Sequence, residues 1–335
     1  MRHYLVVLLA FAVFLIPWMS VVHPDGSRAL LSSLESAGGQ FASVVFSHDP
    51  KTVGDIELAY KSSIDPRLAA AGSQKKVRIL IVPGHEPDQG GAQFLSLKER
   101  DMTVELGQDL QALLENDPHF QVYITRDTKN WNPIFESYFR DHWEEIKSWV
   151  QAHKDEVISL ERLGQFVRVA PSVLHNDTPY DGAIRLYGID KWVDDNGIDI
   201  VIHIHFNDYP GHALGVPGRY SGFAIYVPQR EFDNSTTSRA LADSVFQELS
   251  KYNKVSDLPG ESSGVVQDQD LIAVGAYNSV DAASMLIEYG YIYEPQFING
   301  KARRSAALES LAEETYRGIQ DFFASTTPPA PLSSL

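Results

Sequence analysis

The chain has 335 residues, 44% of them apolar, and a formal charge of −16 at pH 7. That is enough apolar material for one large or two small domains with a real core, and the charge argues against a general affinity for nucleic acid or anionic lipid. With no cysteine in the sequence, disulfides, thiolate metal sites and a cysteine nucleophile are excluded, so any transition-metal site must be built from histidine and carboxylates.

Arg2 and the terminal amine precede an apolar run over residues 4–22, broken only by Pro17, Trp18 and Ser20. A helix of about 19 residues is roughly 28 Å long, close to the hydrocarbon thickness of a bilayer. Positive charge ahead of it places the amino terminus inside and the rest of the chain outside the cytoplasmic membrane. Residues 1–22 therefore read as a signal anchor or a signal peptide. The lack of a small-x-small cleavage site after Trp18 favours the anchor. Either reading delivers the chain to the cell envelope, membrane-anchored or secreted. Residues 23–76, small and polar, read as a stalk or leader with one strand-like piece at 56–60.

Residues 77–82 form a short apolar run, a buried strand stopped by Pro83-Gly84. His85 follows on an acidic loop that runs to Gly90-Gly91. A histidine at the carboxyl end of a buried strand stands where α/β folds place ligands. Met102, Leu106, Leu110, Leu113 and Leu114 then recur at helical spacing, with Glu99 at the helix's leading edge. A second strand over 120–125 ends in Arg126-Asp127. This completes a βαβ unit, whose crossover is right-handed. Arg126 reads as one half of a structural ion pair.

Residues 130–179 break the alternation. Phe135, Tyr138, Phe139, Trp143, Ile146, Trp149 and Val150 make an aromatic helical stripe, and Val157, Leu160, Leu163 and Val167 suggest a second helix. The stripe reads as packing, with a roof over a cleft as the alternative. A third helix runs from Tyr180 to Val193 and stops at Asn196-Gly197. Residues 199–206 alternate, sending Val201, His203 and His205 to one side, so parity leaves open which histidine would bind a metal. A strand over 221–227, a helix capped at 233–235, a polar flexible loop over 254–269 and a short strand over 271–274 follow. The last buried strand, 284–288, ends in Glu288. A closing helix carries Leu308, Leu311, Tyr316, Ile319, Phe322 and Phe323, and residues 325–335 read as a disordered tail. His119, His142, His153, His175 and His212 read as surface or packing histidines. The sum is an α/β chain. One domain over 77–324 has a twisted, mostly parallel sheet flanked by helices on both faces, with a helical insertion at 130–179 and an N-terminal membrane-spanning segment.

His85, Glu99, His203 or His205, and Glu288 all fall at strand ends or strand–helix junctions. Two histidines and one carboxylate are a usual ligand set for a hydrolytic zinc that keeps a position open for water. A second carboxylate then serves as proton shuttle. Burying Glu288 at the end of an apolar strand is costly unless it is paired or used. No HExxH motif is present.

The order of these pieces resembles the zinc-dependent N-acetylmuramoyl-L-alanine amidases of bacterial cell walls, with the catalytic domain called amidase type 3. Where that family has Asp-Pro-Gly-His-Gly-Gly, this chain has Val82-Pro83-Gly84-His85-Glu86-Pro87. The family's Gly-Ala pair matches Gly91-Ala92, its Glu-Lys matches Glu99-Arg100, and its Thr-Arg-Asp matches Thr125-Arg126-Asp127. Its Ser-Ile-His-Ala-Asn-Ala matches His203-Ile204-His205-Phe206-Asn207-Asp208. Its Leu-Val-Glu-Leu-Gly-Phe matches Leu286-Ile287-Glu288-Tyr289-Gly290-Tyr291. The likeness spans about 77–323.

The resemblance implies that His85, Glu99 and His205 bind Zn2+ and that Glu288 acts as general base and then acid. It makes His203 and Asn207 candidate substrate contacts, and it implies peptidoglycan as substrate, cut between N-acetylmuramic acid and L-alanine. The net charge argues against a nucleic-acid partner, and the sequence names no regulatory protein. The departures are Val82 for aspartate, Glu86-Pro87 for two glycines, Ala283 where proline is frequent, and the long 130–179 connection. A noncatalytic wall-binding or regulatory module on the same fold is the alternative, as is a zinc hydrolase for another peptide or amide.

Overall fold

The computed structural model describes residues 49–326 except 174, 176–177, 210–211, 214 and 276–280. In chain order the elements are α1 (Val53–Ser62), α2 (Pro66–Ala70), β1 (Val77–Pro83), β2 (Gln93–Phe94), β3 (Leu97–Lys98), α3 (Glu99–Glu115), β4 (Phe120–Ile124), α4 (Pro133–Arg162), α5 (Tyr180–Asp195), β5 (Ile200–Asn207), β6 (Ala224–Pro228), α6 (Ser235–Leu249), β7 (Val265–Asp268), β8 (Ala283–Tyr291), α7 (Pro295–Ile298) and α8 (Lys301–Thr326).

Six strands form one sheet in the order β4-β1-β5-β8-β6-β7. β4, β1, β5 and β8 run parallel, β6 is antiparallel to β8, and β7 runs with β6. Strand alternation sets the layers. Ile79, Ile81, Ile200, Ile202 and Ile204 turn to one face, where Leu106 and Leu110 of α3, Val245 of α6 and Ile319 of α8 cover them. Leu80, Val82 and Val201 turn to the other, under Phe135, Phe139 and Ile146 of α4 and Ile184 and Trp192 of α5. A sheet covered on both faces explains why its strands read as near-continuous apolar runs. Burying each large aliphatic side chain contributes about 1.5–3 kcal/mol.

Five local readings change. Residues 56–60 are helical: Thr52 and Asp55 close a capping box on α1. The buried Ile56 and, one turn on, Tyr60 pack inward, and the Tyr60 ring stacks between His119 and Phe323. This part of the expected stalk is therefore packed on the core. The break expected between the two helices of 135–167 falls elsewhere: residues 151–156, which hold no glycine or proline, are helical, and α4 is instead kinked at the non-helical His142 (φ −118°) and ends at Arg162. Residues 271–274 are not a strand. The added strand is β7, inside the stretch expected to be a flexible loop, with Val265 and Val266 buried. Asn234, expected to cap α6, makes no side-chain cap bond and instead donates to the Ala282 carbonyl at 3.0 Å.

Residues 1–22, the front of the expected stalk and the end of the expected tail lie outside the described residues. Among the described residues no helix is long and apolar enough to cross a membrane.

Candidate metal centre

The centre is built at the carboxyl end of β1. Gly84 continues the ladder by donating to the Ile204 carbonyl at 2.8 Å. His85 then adopts φ +69°, a left-handed conformation that costs a non-glycine residue roughly 1–2 kcal/mol. The loop returns through Gly90 and Gly91, both at positive φ. A Cβ on Gly91 would stand 2.8 Å from Cδ2 of His85 and 3.2 Å from Cβ of Glu99. Arg126, fully buried, holds the loop from below. It donates from Nε to the Pro83 carbonyl at 3.2 Å and from a terminal nitrogen to the carbonyls of Gly84 and Arg100. The expected ion pair is thus replaced by main-chain carbonyls, a task suited to the rigid fork of a guanidinium.

Glu99 is the first residue of α3 and only 3% exposed. Its Oε2 accepts from the Ala92 amide at 2.6 Å and its Oε1 from the Phe206 amide at 3.1 Å. Oε1 also lies 2.8 Å from Nε2 of His85 and 3.1 Å from Nδ1 of His205. The three residues offer ligand atoms that all fall within 4.8 Å of one another. Of the two histidines on β5, His205 is the one brought to this group.

Burial alone would raise the Glu99 carboxyl, but the His85 and His205 rings prevail and hold it well below the usual carboxylate range. Burial pushes the His205 imidazole down, against the opposing pull of Glu99. A neutral imidazole keeps a lone pair on one ring nitrogen. His85 Nε2, although 2.8 Å from Glu99, is buried and not aligned to hydrogen-bond it or any other described group. An ionised carboxylate, a burial-neutralised imidazole and an orphaned ring nitrogen converging on one point fit a divalent cation.

Glu288 pairs in register with His205 across β5 and β8, and with Ala224 across β8 and β6. It is buried, and its Oε2 has no hydrogen-bond partner among the described residues. Burial first, then the negative charges of Glu99 and Glu261, push its carboxyl well above the usual range. His203 pairs with Leu286, two residues deeper along the same pair of strands. Its imidazole is pushed down to about 3 by burial and by His205, and its Nε2 is unpartnered among the described residues.

Asn207 is committed elsewhere: its amide donates to Glu261 Oε1 at 2.9 Å. Glu261, fully buried, also accepts from the hydroxyls of Tyr226 at 2.7 Å, Tyr291 at 3.3 Å and Ser256. The sequence reading missed this carboxylate because its neighbours, Gly260, Ser262, Ser263 and Gly264, carry the composition of a loop. The ring of His175 sits edge-on to Tyr226, centroids 5.1 Å apart.

Known proteins are similar to this chain. The family described as N-acetylmuramoyl-L-alanine amidase matches residues 79–321. The amidase AmiC of Escherichia coli O6:H1 is 20% identical over 285 residues, 81% of this chain and 59% of that protein. The probable amidase AmiB of Haemophilus influenzae is 22% identical over 264 residues, 75% of this chain and 53% of that protein. The chain thus spans little more than half the length of these curated relatives. Among solved structures, the CwlD amidase of Clostridioides difficile, in complex with the GerS lipoprotein, is 15% identical with a TM-score of 0.49, covering 75% of this chain and 100% of that one. Ami1 of Mycobacterium smegmatis gives 13% and 0.49 over the same shares. With its motifs in order and the family match covering most of its length, the chain belongs to the N-acetylmuramoyl-L-alanine amidase family.

Proposed function

We propose that this chain is a zinc-dependent hydrolase that cuts the amide between N-acetylmuramic acid and L-alanine in peptidoglycan. The observation that carries the reading is the convergence of His85, Glu99 and His205, with Glu288 on the strand position paired to His205. The three would hold the metal. Bound zinc supplies Lewis acidity, polarising the amide carbonyl and acidifying water.

Glu288 carries the proton. With the positive charge of a bound cation opposing the rise in its pKa, its buried carboxyl would take the proton from the attacking water and give it to the departing amine. The carbonyl carbon gains oxygen from water, the C–N bond breaks, and the products are the lactyl carboxylate of the muramic acid and the free amino group of L-alanine. The amides of Ala92 and Phe206 hold Glu99 in place, and the His85 and His205 rings keep it ionised. The apolar run at residues 4–22 supports a location outside the cytoplasmic membrane, anchored or secreted.

Mass spectrometry of fragments released from purified wall by the full chain with zinc tests this. The expected products are stem peptides with a free L-alanine amino terminus and glycan strands with intact glycosidic bonds. Cuts confined to the stem peptide would make it a hydrolase of another amide. No release by a zinc-loaded chain would make it a binding module.

A further inference from the structure

The metal loop departs from the family pattern at Glu86-Pro87, where two glycines are usual. The structure gives that departure a task. The side chain of Glu86 is 14% exposed and its Oε1 accepts from a terminal nitrogen of Arg185 on α5. Its Oε2 accepts from the Gln89 amide at 2.8 Å, and its main-chain N–H donates to the Gln89 carbonyl at 3.2 Å. The carboxylate also sits against the first turn of α5, where a Cβ on Gly182 would lie 3.4 Å from Oε1. A helix amino terminus favours a negative charge. Arg185 is fixed in turn, its guanidinium 5.8 Å from the ring centroid of Trp143 on α4.

The residue immediately before Glu86 is His85, the one non-glycine residue of this loop at positive φ. A two-glycine loop would relax freely. This loop is pinned by charge, by a turn bond and by helix packing one residue after the strained histidine. We propose that Glu86 and Arg185 form a strut that holds His85 in its metal-ready conformation, so that the α4–α5 layer sets the metal affinity of the centre. The proposal rests on the reading of His85, Glu99 and His205 as metal ligands. Glu86 touches neither metal nor substrate in this account; it acts as a positioning residue through His85.

Zinc affinity of the full chain, measured by competition with a chromogenic chelator, tests it. Glu86→Ala and Arg185→Ala should each weaken zinc binding by about tenfold, the lower end for groups that orient metal ligands. The double variant should be no weaker than either single one, because both changes remove the same strut. The thermal midpoint of the metal-free protein should move little. Glu86→Gln and Arg185→Lys, which keep bulk and lose the charged fork, serve if the alanine variants do not fold, and should give intermediate losses. Unchanged affinity in Glu86→Ala or Glu86→Gln, or strictly additive losses in the double variant, overturns the strut. A wild-type chain that binds no zinc overturns the ligand reading beneath it, which separates the two failures.

Discussion

Gly84 and His205 are packed so closely that a Cβ on the glycine would lie 2.4 Å from Cε1 of the imidazole. The glycine cannot retreat. Its amide is bound to Ile204, and its carbonyl accepts from Arg126 and from the Thr103 hydroxyl at 3.3 Å. Gly84→Ala should therefore displace the ring from Glu99 and leave the sheet standing. Zinc affinity is expected to fall by about 10–100-fold with the far-ultraviolet circular dichroism of the metal-free protein unchanged. Equilibrium dialysis against zinc reads the first and the spectrum reads the second.

Replacing Glu288 by glutamine keeps shape and removes the proton carrier. Hydrolysis of wall should drop by about 10²–10⁴-fold, with zinc content equal to wild type. Turnover near normal in the metal-loaded variant would take Glu288 out of the mechanism.

Glu261 has four side-chain donors converging on it in a fully buried position. Glu261→Ala would strand them without an acceptor, at a cost on the order of 3 kcal/mol. Urea denaturation of the metal-free protein should show the loss as a lower midpoint. The Glu261→Gln variant, which still accepts through its carbonyl oxygen, should lose less.

Asp190 on α5 is 2% exposed, and its Oδ2 finds no partner among the described residues. Burial, then Asp194, push its carboxyl well above the usual range. The folded state therefore binds the proton more tightly than the unfolded one. This group's contribution is full below the unfolded value of about 3.9 and is lost as pH rises toward the folded one. Asp190→Asn should raise the thermal midpoint at pH 7–8 and give no gain below about pH 4. A gain equal at both ends of that range would show that the charge is not the cause.

The strands of the central sheet and the faces of α3 and α8 were legible because burial on both sides writes itself as unbroken apolar runs or helical spacing. The order of motifs also marked His85, Glu99, His205 and Glu288. Three things were not legible. Alternation sends His203 and His205 to the same side, so the residue pattern alone did not separate them; the motif order pointed to His205, and it is that ring which meets Glu99 and the loop after β1. The stretch around Glu261 buries polar residues by satisfying them with one another, and composition scores such a stretch as exposed. The anchoring of Glu86 by Arg185 joins two residues far apart in sequence, and neither one alone carries a signal.

Among the described residues β8 is the last strand in sequence, yet it occupies an interior place in the sheet, between β5 and β6. A polypeptide made or exported from its amino end therefore displays the histidines and Glu99 well before the strand that bears Glu288 exists. Until β8 slides into its slot, β5 lacks a neighbour on one side, and the proton carrier is missing. Products truncated ahead of Ala283 would be inert as well as poorly folded. For a protein whose proposed substrate is the wall that keeps its own cell intact, competence thus waits on the arrival of β8 in the sheet.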